Sequence, residues 1–443
     1  MSGGAVVVGG GVAGITAALA LADAGAEVTL LEVRPRLGGA AYSFERDGLL
    51  LDNGQHVFLR CCEHYRALLR RLGSEHLTRV QKRLEIPILS PGRPPTALRR
   101  SRLPAPLHLA GSLLHYPHLP LRARAGAARA ALGLARLDPD DPSLDRRTLG
   151  AWLAEHGQGP ETHAPLWDLI ALPTLNLPAA EASLALGAFV FQRGLLADAA
   201  AGDIGFHEAP LERIVDLPAR AALARAGVEV RLGWRARAVR ATTGGFTVEG
   251  PEEERIEAAA VIVALPAGRA QELLPEGALD PRRRPGALAA TPIVNVHVFY
   301  DRPVWELPFA AGVRTPVQYI FDRSESNGIE RGRYLAISIS GARAEMAMPP
   351  AEVRTRYVAA LRALLPAASD ARVERVELSR EHAATFAAVP GVQGRRPAER
   401  TRIPGLALAG AYTATGWPAT LESAAISGGR AASAALEHLG APR

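Results

Sequence analysis

Lysine is nearly missing from this chain: of 51 basic residues only Lys82 is a lysine. Schiff-base chemistry and a phosphate-cradling P-loop each need a lysine at a set place, so both are poorly supported. Cysteine is almost as scarce. Cys61 and Cys62 are adjacent, and neighbours can neither close a useful chain loop nor supply a four-ligand zinc site. A reducing cytoplasm is the expected setting. Aromatics make up 5% of the residues, and the cations behind the formal charge of +6 are dispersed, so no nucleic-acid partner is expected. No run reaches the roughly 20 apolar residues that a bilayer span needs. The stretch Gly3 to Ala22 lacks a basic flank and holds six glycines, which reads as strand, turn and helix rather than a signal peptide.

Acidic residues are absent from Ile86 to Leu137, where arginines stand at 93, 99, 100, 102, 122, 124, 129 and 136 around the proline-broken apolar stretch Leu103 to Leu121. Such a mixture suits the surface of an anionic bilayer, a peripheral contact on the inner face of the cell membrane. The competing reading is a solvated helical face, since no clean helical period runs through the segment.

With 443 residues, 48% apolar and 22% charged, the chain is expected to form two intimately connected domains. Ala5 to Val8 is a short apolar, β-branched run, Gly9-Gly10-Gly11-Val12-Ala13-Gly14 follows, and Ile15 to Ala24 has helical composition. A second strand, Glu27 to Leu31, ends in Glu32 at the spacing of a ribose-binding acid. Gly9 serves the tight turn, Gly11 the approach of backbone to a pyrophosphate, and Gly14 the packing of helix on strand. The helix N-terminus offers free N–H groups to phosphate. Glu32 would accept from ribose hydroxyls and repel a 2′-phosphate, excluding NADP here.

Beyond Glu32 come Arg34, Arg36, Gly38 and Gly39. An acid, arginines two and four residues later, then paired glycines resembles the large flavin family of amine oxidases and carotenoid desaturases. The resemblance implies FAD, bound by a Rossmann-like α/β domain of the amine oxidase and phytoene desaturase type, with an interleaved α+β substrate domain. It assigns residues 1–57, 205–290 and 386–443 to the FAD-binding domain and 58–204 and 291–385 to the substrate-binding domain. The latter is expected to hold an antiparallel sheet including Val294 to Tyr300 and Tyr334 to Ile339. Gly227 to Leu232 reads as a strand, Phe246 to Glu249 as part of a small antiparallel sheet, and Ala260 to Leu265 as a buried strand returning to the nucleotide sheet.

Cofactor contacts implied by the resemblance fall on Gly9, Gly11, Val12, Ala13, Gly14, Glu32, Arg34, Arg36, Gly38, Gly39, Ala40, Asn53, Gly54, Gln55, His56, Val239, Ala264, Gly410, Ala411, Thr420, Leu421 and Glu422. Asp52-Asn53-Gly54-Gln55-His56 resembles the segment beside the flavin ring, with polar side chains facing the cofactor; an ordinary hairpin turn is the bland alternative. Leu406 to Gly410 reads as a strand, and a helix opens at Pro418. Its N-terminus would face the flavin C2 carbonyl. Ala411 stands where the family often has the aspartate that binds the ribityl chain.

The 52–56 segment, Gly416 to Ser423 and Val215 to Arg220 together resemble the squalene-associated branch, the hydroxysqualene dehydroxylases. The resemblance implies an isoprenoid lipid substrate, and conversion of hydroxysqualene to squalene by hydride from flavin N5 with acid-assisted loss of water. His56 is the leading candidate acid, with His163, His207 and Glu422 as alternatives. No second glycine turn serves a nicotinamide, so electrons would come from a free reductant, a passing NADPH or a redox protein. An isoprenoid desaturase or amine oxidase is the nearest rival. A non-catalytic prenyl-lipid carrier is the rival from another class.

Overall fold

The computed structural model describes residues 4–440. Ala5–Val8, Ala260–Val263 and Leu406–Leu408 are apolar and buried at every position, and Val28–Glu32 is buried at all but one. Unbroken apolar runs are what a strand covered on both faces requires. They form a five-stranded parallel sheet in the order Glu229–Leu232, Val28–Glu32, Ala5–Val8, Ala260–Val263, Leu406–Leu408. Parallel neighbours need a crossover, and the helix Val12–Asp23 supplies the first one, starting three residues earlier than composition indicates.

The helix Leu421–Leu439 packs against Val12–Asp23 through glycine. A Cβ on Gly428 would lie 2.3 Å from the Ala13 carbonyl oxygen, and one on Gly14 would lie 1.8 Å from that of Gly9. The two chain ends therefore meet backbone to backbone. Between them, Ala238–Thr242, Gly245–Glu249 and Arg255–Ala258 make a small antiparallel sheet.

A second sheet has seven strands in the order Val373–Phe386, Ala290–Tyr300, Tyr334–Ser340, Tyr319–Asp322, Phe309–Gly312, Glu85–Leu89, Thr96–Arg99. It is wider than the two strands read from sequence, because it recruits Glu85–Leu89 and Thr96–Arg99 from far upstream. Its pairings are antiparallel except between Phe309–Gly312 and Glu85–Leu89. Helices Asp168–Leu175, Arg343–Ala347 and Pro350–Leu364 pack on it, whereas Leu217–Arg225 packs on Val12–Asp23 and the nucleotide sheet; π-helical turns occur at His163–Trp167, Gln192–Leu196 and Glu212–Asp216. Among the described residues no helix is long and apolar enough to cross a membrane.

Helix Leu421–Leu439 offers a contrast between neighbours. Gly428 has no room for a side chain, whereas nothing lies within 4 Å of a Cβ at Gly429. Gly428→Ala is expected to lower stability by about 2 kcal/mol or more through the clash. Gly429→Ala should raise it by about 0.5–1 kcal/mol through helix propensity. Urea unfolding of the two variants measures both; equal shifts would remove the crossing as a constraint.

Candidate active site

The first glycine turn has the form the motif demands. Gly9 has φ +114°, and a Cβ there would sit 2.3 Å from the Ala264 carbonyl oxygen. The turn runs into the helix at Val12, whose N-cap, Gly11, gives no side-chain cap and whose first turn carries no acid. Val12, Ala13 and Gly14 are buried, so that helix end is wrapped by protein and uncapped by it. Glu32 is buried too, and its carboxylate accepts from the Gly10 N–H at 2.7 Å and the Arg34 N–H at 2.7 Å. This fixes the acid at the mouth of the turn. Val239 is buried in the strand that pairs with Val248, in one core cluster with Val8 and Leu31.

The second glycine pair comes up against the first. The Gly38 N–H donates to Gly10 O at 2.8 Å, and a Cβ on Gly39 would stand 2.8 Å from the Gly11 Cα. Arg36 donates to Gly39 O at 3.2 Å and stacks over the Tyr42 ring at 3.6 Å, while Arg34 and Ala40 are exposed. Behind this loop, Asp216 accepts from the Leu37 N–H at 2.9 Å and from Arg220 Nε at 2.7 Å, and Arg220 reaches Pro35 O at 2.6 Å. Val215 to Arg220 is thus a clamp on the arginine-glycine loop.

On the 52–56 segment the structure removes the hairpin-turn alternative, and two side chains there bind protein. The hairpin Ser43–Arg46 with Leu49–Asp52 turns at Asp47 and Gly48, both at positive φ, so Asp52-Asn53-Gly54 is no hairpin turn. Asn53 and Asp52 also face structure. Asn53 Nδ2 donates to Ala40 O and to Glu381 Oε1, each at 2.9 Å. Asp52 accepts from Ser43 Oγ at 2.7 Å, the Leu211 N–H at 2.9 Å and Arg323 at 2.8 Å. Ala40, Asn53 and Asp52 are thereby locked to separate stretches of chain. Asn295 crosses from the second sheet, donating to Asn53 O at 2.8 Å close to Gly54. Two buried polar atoms on this wall, Gln55 Nε2 and Asn295 Oδ1, have no partner among the described residues.

On the C-terminal side, helix Leu421–Leu439 begins after Pro418, with Thr420 as N-cap accepting from the Ser423 N–H at 3.2 Å. The Glu422 carboxylate accepts from the His64 N–H, the Tyr65 N–H and His64 Nδ1 at 3.1, 2.8 and 2.9 Å. It caps the helix Glu63–Leu72, which removes it from the candidate acids. Gly410 donates to Ser427 Oγ at 3.0 Å, and the Ala411 carbonyl accepts from Ser423 Oγ at 3.0 Å.

The loop after Gly410 is held by Arg396, a residue to which no sequence motif points. Its side chain is wholly buried and donates to the Ala411, Tyr412 and Thr413 carbonyls, Thr415 Oγ1 and Gln393 Oε1. Phe386 lies under the guanidinium at 4.7 Å. Burial pushes its pKa down to about 10, with Glu399 and Asp145 opposing, so it stays charged at neutrality. Nothing in Gly394-Arg395-Arg396-Pro397 distinguishes this arginine from the others; only its partners do.

The histidines separate by environment. His207 is buried, exchanges a hydrogen bond with the Tyr65 hydroxyl at 2.9 Å, and is pushed down to about 3 by burial, with His56 and Arg323 adding to the effect. It is a neutral imidazole near neutrality, not the imidazolium that a general acid requires. His163 is buried on a π-helical turn with its Nε2 unpartnered. His56 lies 3.3 Å from Asn53 Oδ1 in a small pocket with Gln55, Val57, Phe206, Phe321 and Arg323. Burial lowers its pKa, and Asp52 and Glu381 oppose that.

These residues fit FAD. The uncapped buried helix end, the fixed Glu32 and the touching glycine pairs make a backbone cradle that a Cβ at Gly9, Gly14 or Gly39 would fill, and Gln55 and Asn295 each keep a buried polar atom without a partner among the described residues. A family model for flavin containing amine oxidoreductases matches residues 12–436, and the chain belongs to that family. It is an FAD-dependent oxidoreductase. The chain is 27% identical over 446 residues to a hydroxysqualene dehydroxylase of Zymomonas mobilis, covering 98% of this chain and 99% of that one. It is 22% identical over 473 residues to a zeta-carotene desaturase of Synechocystis, covering 97% and 96%. Cyclohexylamine oxidase from Brevibacterium oxydans shares the fold, with TM-score 0.74 at 19% identity over 99% of this chain and 100% of the other.

Arg396→Met should orphan several buried carbonyls, each at about 1–3 kcal/mol, and weaken FAD binding by about tenfold or more. Flavin retained after desalting and the urea midpoint are the readouts; wild-type values for both would show the loop holds itself. A pH effect follows from His207 and His297, both buried and held at about 3 against 6.5 when unfolded. The unfolded chain takes up these protons first as pH falls, so their contribution is complete above 6.5 and lost toward 3. Each withdraws up to about 1.4 kcal/mol per pH unit in that window. Equal unfolding free energies at pH 7 and pH 5 would contradict this.

Proposed function

We propose that this enzyme reductively dehydroxylates hydroxysqualene to squalene. The reading is carried by similarity to hydroxysqualene dehydroxylases along 98% of the chain. It is supported by contact between one branch segment and the helix that follows another, since Glu422 accepts from the His64 and Tyr65 N–H groups shortly beyond His56. The reaction breaks a C–O bond and forms a C–H bond at an allylic carbon, consuming one hydride and one proton and releasing water. When bound, the flavin supplies the hydride.

The chain's own residues do the rest in this proposal. Gly9 to Gly14 hold the pyrophosphate and Glu32 the ribose, with Arg34, Arg36, Gly38, Gly39, Ala40, Val239 and Ala264 around them. Gly54, Gln55, Gly410, Ala411, Thr420 and Leu421 line the ring and ribityl end. Phe206, Leu211 and Phe321 present apolar surface beside His56, with Asp52, Gln55 and Arg323 lining the same small pocket. His56 donates the proton to the departing hydroxyl. The cofactor unit follows residues 1–57, 205–290 and 386–443, and the segments 58–204 and 291–385 cover it.

Likeness to carotene desaturases keeps a second reading, removal of hydrogen from a polyene. Anaerobic incubation of reduced holoenzyme with hydroxysqualene should yield squalene and reoxidised flavin absorbance. Oxidised holoenzyme bleached by a carotene, with no squalene formed in the first assay, would sink the dehydroxylase reading. His56→Gln should retain FAD and lose about 10²-fold or more in turnover, the usual scale for a proton donor. Because burial lowers the His56 pKa, wild-type kcat/KM should fall as pH rises from below 6.5. A variant with an unchanged pH profile would strip His56 of the role.

A further inference from the structure

The interval without carboxylates folds into the last two strands at one edge of the second sheet, a helical stretch over Leu107–Leu114 and the helix Leu121–Leu134. Among the described residues, five of the eight well-exposed large apolar side chains are here: Leu103, Leu107, Leu114, Leu121 and Leu132. Single exposed leucines are ordinary on a protein surface, but a cluster is not. In helix Leu121–Leu134, Ala123, Ala127, Ala130 and Leu134 pack inward. The opposite stripe, Leu121, Ala125, Ala128 and Leu132, recurs at three- and four-residue steps and faces out. The helix is thus apolar on both sides, with Arg122 and Arg129 exposed at the edges of the outer stripe.

The preceding helical stretch repeats the arrangement at Leu107, Ala110, Gly111 and Leu114, all exposed. Arg124 joins the two, donating to the Leu114 carbonyl at 2.6 Å and the Leu119 carbonyl at 2.8 Å. Arg99 and Arg100 are spent on Glu85 and Asp203. Exposed Arg93, Arg102, Arg122, Arg129 and Arg136 form no ion pair among the described residues. Exposed Asp138, Asp140 and Asp141 follow directly and mark where the face ends.

We propose that the outward face of residues 102–136 docks on an anionic phospholipid bilayer, with the leucines entering the acyl boundary and the arginines meeting headgroup phosphates. Apolar stripes edged by fixed cations complement such a surface, and guanidinium heads on long stems reach phosphate while the leucines go deeper. A second copy of this chain would bring the same unpaired arginines face to face. The docking face is braced against the active site. Gln192 donates to the Leu134 and Leu137 carbonyls at 2.7 and 2.6 Å, and Phe189 in the same helical run meets the Trp417 ring at 5.2 Å, just ahead of helix Leu421–Leu439. The inference goes beyond the substrate reading and does not depend on which isoprenoid, if any, is turned over.

Flotation of the holoenzyme with vesicles tests it, using phosphatidylcholine alone and phosphatidylcholine with roughly a third phosphatidylglycerol. Wild type should float with the anionic vesicles only. Leu114→Glu/Leu121→Glu and Arg122→Glu/Arg129→Glu should each bind at least about tenfold less. Leu307→Glu, at a leucine 38% exposed outside the segment and outside the cofactor site, should bind as wild type, and all should keep flavin absorbance. Leu121→Trp should shift its emission to the blue on anionic vesicles. The proposal is overturned by absent flotation of wild type, by equal binding of the variants, or by a wild-type dimer that Leu114→Glu/Leu121→Glu splits. Should the leucine double variant lose its flavin, an unshifted Leu121→Trp emission overturns it alone.

Discussion

Helices Val12–Asp23 and Leu421–Leu439 cross where Gly428 lies against the Ala13 carbonyl, and the cofactor site depends on that contact. It brings the glycine turn, the arginine-glycine loop and the Gly410 loop to one side of the parallel sheet. Each of the close approaches involved, Gly9 on Ala264, Gly14 on Gly9, Gly39 on Gly11, is backbone against backbone. Side chains at these positions would hold the loops apart. The glycines therefore do two jobs at once: they permit the approach, and they leave N–H groups unshielded for an anion.

Around this crossing, buried charges act as pins between distant stretches. Asp52 ties the hairpin to Leu211 and, through Arg323, to the second sheet. Glu422 ties the last helix to Glu63–Leu72, Asp216 ties Leu37 to Arg220, and Arg396 gathers the loop after Gly410. A buried ion pair is weak evidence of net stability, because desolvation offsets most of its attraction. Its value here is geometric: a wrong register would leave a charge with no partner, so alternative packings of the glycine loops are penalised. Most partners are backbone N–H or C=O groups, which fixes main-chain position as well as side-chain rotamers.

The parts of the fold legible in sequence are those whose signal is local. Gly9 to Gly14 followed by Glu32 can be read because turn, helix and acid lie within one short unit. The buried strands Ala260–Val263 and Leu406–Leu408 announce themselves by unbroken apolarity. Asp216 is visible only as part of the branch pattern, because its partner Leu37 is 179 residues away. Glu422 reads from sequence as facing the cofactor, yet its carboxylate answers to Tyr65, 357 residues distant. Asn53 likewise has a partner that no local pattern announces, its amide donating to Glu381, 328 residues away. Helix Leu121–Leu134 hides from periodicity because apolar residues on both faces erase the contrast on which a 3.6-residue signal rests.

A sheet whose central strand is residues 5–8 and whose edge is residues 406–408 also imposes an order of events during synthesis. Chains leave the ribosome from the N-terminus at roughly 5–20 residues per second. Strand Ala5–Val8 acquires its second neighbour only once residue 263 has emerged, and helix Val12–Asp23 keeps a bare flank until Gly428 arrives. Capture of the dinucleotide consequently waits until residue 428 has emerged, and until then the half-built nucleotide fold exposes the apolar face that the last helix covers.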